Sequence, residues 1–138
     1  MRSVLLIVTL LAGCGANAGR EALQDTVRVY NSQVRWMQWA GAARFVDPEL
    51  RQDWLNAHTA HGETLRITDL TVNQVQQVGD GQEATVTIGV SWYRLPTMNL
   101  QFTAWEQRWK LVEGAWLMVK ETPIEASAPK STEVKPWP

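Results

Sequence analysis

Cysteine is almost absent from this chain: Cys14 is the only one in 138 residues. A lone thiol cannot close an internal disulfide, and with two histidines a four-ligand zinc site would need carboxylates to complete it. An excess of one charge sign is also missing. Lys and Arg total 13 against 14 Asp and Glu, a net charge of −1. Such a balance gives no electrostatic footprint for nucleic acid or acidic lipid. There is no Gly-rich phosphate loop, no nucleophilic serine elbow and no cofactor motif, so phosphoryl transfer and serine hydrolysis lack their usual machinery. Phe and Tyr are scarce, two of each, whereas Trp is plentiful at eight. The length suits one ordinary domain with a single core.

The N-terminus reads Met1-Arg2-Ser3, then an apolar run from Val4 to Leu11, then Ala12-Gly13-Cys14. A positive end, a short apolar stretch and small residues make an export signal, far short of the ~20 residues needed to span a bilayer. Leu11-Ala12-Gly13-Cys14 resembles the lipobox of bacterial lipoproteins. The resemblance implies cleavage after residue 13, a diacylglycerol on the Cys14 thiol and acylation of the new amino group. Each buried methylene contributes ~0.8 kcal/mol, so three acyl chains anchor without spanning. The expected location is the cell envelope. By resemblance to enterobacterial lipoprotein sorting, Gly15 in place of Asp after the cysteine implies, in a Gram-negative host, the outer membrane facing the periplasm. The competing reading is an ordinary secretory signal with an incidental cysteine.

Residues 14–19 then read as a lipidated tether, 20–122 as a folded domain and 123–138 as a Pro-rich flexible tail ending near Trp137. Leu23, Val27, Tyr30, Val34 and Met37 recur at helical spacing, with Arg28, Asn31 and Arg35 on the polar side. Trp36, Trp39 and Phe45 extend the apolar pattern past Gly41, where a kink or a second short helix is expected. Asp47-Pro48 reads as a cap and first turn opening a helix through Trp54 towards His58. From Leu65 the period becomes two, and four strands are predicted, with turns at Gly79-Asp80-Gly81, Leu95-Pro96-Thr97 and Glu113-Gly114. The parity of the apolar residues switches near Asp69 and again near Ala104, which predicts a bulge at each and a bent sheet.

This order resembles the nuclear transport factor 2-like superfamily, carried by the long helix with Tyr30, the Phe45-Val46-Asp47-Pro48 junction and the closing hairpin from Trp109 to Met118. It implies an α+β fold, with N-terminal helices packed in a strongly curved antiparallel sheet of about four strands, shaped as a cone. The short strand that relatives carry among the helices is not evident here.

The superfamily hosts enzymes with an Asp or His base inside the cone as well as non-catalytic domains. Interior candidates in this chain are Asp69, Glu106, Lys120 and Tyr30, with Lys120 sharing a strand face with Trp116 and Met118. His58 and His61, three apart with Glu63 following, form a weak metal pattern set against a solvated helix end. Arg94 lies beside Trp92 in range of a cation–π contact. Trp92, Trp105, Trp109 and Trp116 line the concave face, opposite Trp36, Trp39 and Trp54. They either fill the core or border an apolar pocket for a lipid, glycan or peptide. Trp137 is either an exposed terminal ring or a docking residue. No catalytic set or metal site stands out. The expectation is a lipid-anchored, non-catalytic binding or assembly module without a cofactor. Its expected partners are the membrane through Cys14 and an envelope protein or small apolar ligand, not nucleic acid. The alternatives are a periplasmic isomerase or dehydratase using the cone interior, and a structural subunit of an envelope or secretion complex.

Overall fold

A computed structural model describes residues 15–124. The export signal, Cys14 and Trp137 lie outside them. Three helices come first, α1 (Gly15–Arg35), α2 (Trp39–Ala43) and α3 (Arg51–Thr59). A short 3-10 turn at Gly62–Thr64 leads into β1 (Leu65–Val78), β2 (Glu83–Arg94), β3 (Gln101–Val112) and β4 (Ala115–Pro123). The strands form one antiparallel sheet in the order β1-β2-β3-β4. The predicted α+β class and the four-strand count hold. No helix among the described residues is long and apolar enough to cross a membrane.

The α1 period works as the spacing dictates, since Leu23, Val27, Tyr30 and Val34 are all buried. The helix already runs from Gly15, so residues 15–19 of the segment read as a tether are helical. It ends at Arg35, and the second short helix expected around Gly41 follows as α2. Met37 takes a left-handed backbone (φ 54°), and the N–H groups of Met37 and Gln38 reach back to the carbonyls of Val34 and Gln33 at 2.9 and 2.8 Å. This is the Schellman closure of a helix, made here without glycine. Trp36 falls in this turn and is 66% exposed, so it does not face the sheet; the Arg35 guanidinium lies over its ring at 4.8 Å. Asp47 holds a turn by accepting the Glu49 N–H at 2.9 Å, and α3 begins one turn later than predicted.

Three bulges shape the sheet. The register between β1 and β2 slips at Thr68, where one was expected, and again at Asn73. The β2–β3 register is unbroken, so the bulge expected near Ala104 is absent. Leu100 and Phe102 sit on the outer side, 66% and 48% exposed, which accounts for the parity switch without a bulge. The ring of Phe102 covers Gly89, where an added Cβ would come within 3.0 Å of it. The third slip is in β4. Trp109 pairs with Met118 and Arg108 with Lys120, leaving Val119 as the extra residue.

The outer edge of β4 is not bare. Met118 accepts a hydrogen bond from the Asp47 N–H at 2.9 Å and donates to the Phe45 carbonyl at 2.7 Å, forming a single parallel bridge at Val46. Among the described residues the segment between the helices thus makes an isolated bridge and no strand. Within the curve, Trp92, Trp105, Trp109 and Trp116 join the α1 face, Val46, Val86, Val90 and Met118 in one core.

Candidate functional site

The β4 bulge decides which polar side chain enters the cone. Without it Lys120 would follow Trp116 and Met118 inward. The extra residue at Val119 reverses the alternation, so Lys120 is exposed and Glu121 faces inward, opposite Gln107. Lys120 is therefore not an interior residue. Asp69 is exposed, and Glu106 lies on the outer face 3.6 Å from Arg108. Of the four interior candidates only Tyr30 is inside.

Tyr30 and Glu121 form the centre of the site. The Tyr30 hydroxyl donates to Glu121 Oε1 at 2.8 Å, and Gln107 Nε2 donates to the same oxygen at 3.0 Å. Gln107 also exchanges two amide hydrogen bonds with Asn31, Nε2 to Oδ1 at 2.9 Å and Asn31 Nδ2 to Oε1 at 3.3 Å. Asn31 Nδ2 reaches the Val27 carbonyl as well, at 2.9 Å, and the Trp109 indole N–H closes on Gln107 Oε1 at 3.4 Å. Asn31 and Gln107 are buried, so this network satisfies groups that water cannot reach.

An aromatic cage surrounds it. The Tyr30 ring meets Trp109 edge-on at 5.2 Å, Phe45 edge-on at 6.5 Å and Trp54 tilted at 6.1 Å. Burial raises the Glu121 carboxyl above its ordinary value, and outweighs the hydrogen bonds from Tyr30 and Gln107 that lower it. Burial, joined by the neighbouring Glu121 charge, raises the Tyr30 phenol well above its own. The hydroxyl thus keeps its proton and remains the donor. The Trp54 indole exerts a smaller downward influence on both groups, although its N–H completes no hydrogen bond of normal geometry.

The histidines separate. His58 is buried, not solvated, because its ring stacks on Trp54 at 3.9 Å and lies 5.0 Å from Trp39. Its Nδ1–H is directed to the Trp54 carbonyl at 2.7 Å. Burial lowers its pKa to about 4. In an NMR titration the His58 imidazole is expected to stay neutral until the pH approaches 4; a midpoint near 6.5 would show that the ring is solvated. His61 instead receives the Arg94 guanidinium at Nδ1, 2.7 Å away, and the same guanidinium lies 5.7 Å from the Trp92 ring centre, the expected cation–π contact. The two imidazoles thus serve different neighbours, and no cluster of three or more metal-ligating side chains occurs among the described residues.

Trp92 and Trp105 are each 7% exposed, Trp116 4% and Trp109 1%. All four are buried in the core. Open space lies elsewhere, in a groove of about 480 Å³ between α1 and β1. Its floor is apolar, made of Val27, Leu70, Val72 and Val75. Its α1 wall is polar, with Gln24, Arg28, Asn31 and Arg35. Asn31 joins this wall to the buried network.

Sequence reasoning missed Glu121, Gln107 and Asn31. Gln107 was within reach, since it shares the parity of Trp105 and Trp109. Asn31 sits at the edge of the α1 apolar face and was placed with the polar residues. Glu121 could not be found without the bulge.

No family model matches the chain, and no curated protein matches it by sequence. Solved structures do match in shape. An NTF-2 like protein of unknown function from Shewanella oneidensis superposes with a TM-score of 0.58 at 8% identity, covering 75% of this chain and 97% of its own. The fold is the nuclear transport factor 2-like cone. A ketosteroid isomerase-like protein from Erwinia carotovora atroseptica gives 0.58 at 10% identity, with 76% and 95% coverage. A SEC-C motif containing protein from Rhodopseudomonas palustris gives 0.60 at 14% identity, with 79% and 91% coverage. Identities this low establish the cone and leave the chemistry to the residues of this chain.

Proposed function

We propose that this chain is a lipid-anchored protein of the bacterial cell envelope whose cone-shaped domain acts as a non-catalytic binding or assembly module. The observation that carries the reading is the use of the polar groups inside the cone. Tyr30, Glu121, Gln107 and Asn31 spend their hydrogen bonds on one another, and the groove is bordered by only one of them, Asn31, whose amide is already engaged. A site built to turn over a substrate needs a base facing open space. The lipobox supplies the anchor at Cys14, and the outer membrane is its destination in a Gram-negative host. Replacing Cys14→Ser is expected to move the protein from the membrane fraction to the periplasmic extract. Unchanged membrane fractionation would remove the anchor from the proposal.

One observation favours a second reading, that of a periplasmic acid/base enzyme. Glu121 is a carboxyl inside the cone, raised above its ordinary value and paired with a phenol donor. Incubation with a ketosteroid in deuterated buffer separates the two. A module leaves the steroid unlabelled. Exchange that Glu121→Gln abolishes would replace the module with the enzyme.

A further inference from the structure

The two edges of the sheet are treated differently. β4 is covered by the bridge at Val46, whereas β1 ends the sheet on the other side with no strand beyond it among the described residues. Sheet edges are normally protected by charged residues or proline. From Leu70 to Val78 β1 has neither, nor glycine; its residues are Val, Leu, Thr, Asn and Gln alone. The bulge at Asn73 interrupts this stretch, and just before it, at the Thr68 bulge, the Arg35 guanidinium donates to the Ile67 and Thr68 carbonyls.

The groove runs beside this edge. A strand laid along β1 would pair with its free N–H and C=O groups and turn every second side chain towards α1, over the floor of Val27, Leu70, Val72 and Val75. Charge selects among occupants. Arg28 and Arg35 border the groove and no acidic residue does; the Arg35 guanidinium also donates to the Ile67 and Thr68 carbonyls, which leaves Arg28 as the exposed charge. The partner of Arg28, Asp25 at 3.2 Å, is as open to water as the arginine itself, so that pair is weak and readily exchanged. A second copy would bring its own arginines against these, like charge on like. The tail beyond residue 123 contains Pro129, Pro136 and Pro138, which cannot donate to a ladder, and balances Glu125 and Glu133 with Lys130 and Lys135.

We propose that the free edge of β1, with the α1 groove beside it, is the docking site for an extended acidic segment of another protein, which adds as a fifth strand with apolar side chains alternating into the groove. The proposal names the partner chemistry for the binding module and rests on that reading.

The test uses the full chain in detergent micelles and a labelled peptide alternating valine with glutamate and threonine, against the same peptide with lysine for glutamate. The acidic peptide is expected to bind at least about tenfold more tightly than the basic one and to slow amide exchange across residues 70–78. Arg28→Glu, at a residue exposed enough to leave the fold intact, is expected to reverse the preference. Absence of acidic-peptide protection at 70–78 up to about 1 mM overturns the proposal. So does protection present without peptide and lost on deleting residues 125–138, which makes the tail the occupant, or protection that grows with protein concentration, which makes it a second copy. These outcomes are independent of the Cys14→Ser fractionation and of the deuterium exchange, so the failure of one proposal does not imitate the failure of the other.

Discussion

Trp109→Ala is expected to cost about 3–5 kcal/mol of folding stability, the upper range for a buried aromatic. The indole is 1% exposed, meets the Tyr30 ring at 5.2 Å and ends the buried hydrogen-bond network at Gln107 Oε1. Removing it leaves a cavity beneath β3 and β4 and withdraws a donor from an oxygen that cannot reach water. It also sits where β4 carries its extra residue, pairing with Met118 just before the slip. For a domain whose total stability is of order 5–15 kcal/mol, the loss is about a fifth or more. Trp36→Ala is the control. That ring is 66% exposed and is expected to cost less than about 1 kcal/mol. Urea denaturation of the two variants checks both; equal midpoints would mean that the core is not organised around Trp109.

The contrast between these two tryptophans shows what the pattern of residues carries and what it leaves out. Period-two alternation placed Trp92, Trp105, Trp109 and Trp116 on one face, and all four are buried there. The α1 period placed Tyr30 inside for the same reason: both patterns are local and repeat many times. Trp36 was misplaced because the helix closes at Met37 in a left-handed backbone that residue type alone does not announce. Lys120 and Glu121 were exchanged by one inserted residue, Val119, in a strand too short for its parity to reveal the slip. A bulge needs a partner strand to be seen, and the partner lies ten residues or more away in sequence. Asn31 and Gln107 show the same limit in another form. Each looks like a surface amide alone, and becomes an interior residue only because the other is there to satisfy it. The site was thus less legible than the fold because it depends on long-range pairing at a register fault.

Glu121 gives the second large effect, and its sign depends on the substitution. Its carboxyl is raised in the folded protein, so folding favours the protonated form. The associated stability is fully present below the unfolded pKa and is lost as pH rises through the folded one, which leaves the native protein with a penalty at neutral pH. Glu121→Gln keeps an oxygen for the Tyr30 hydroxyl and the Gln107 amide and removes the charge. It is therefore expected to match or exceed the native stability at pH 7. Glu121→Leu removes the acceptor from both donors, and each donor left without one costs about 1–3 kcal/mol. Adding Tyr30→Phe to that variant should recover part of the loss, a non-additivity expected only if the two groups act on each other. His58 pulls the other way. Its depressed pKa makes its contribution present above the unfolded value and lost as pH falls towards about 4. In the native chain the two groups partly cancel on the acid side. Glu121→Gln should leave His58 unopposed and steepen the fall in stability below neutral pH, towards a limit of about 1.4 kcal/mol per pH unit for one proton. Denaturation midpoints measured at several pH values for native, Glu121→Gln and Glu121→Leu chains decide the matter. If both variants lose stability equally at pH 7, the carboxylate is held by its charge and not by its two donors.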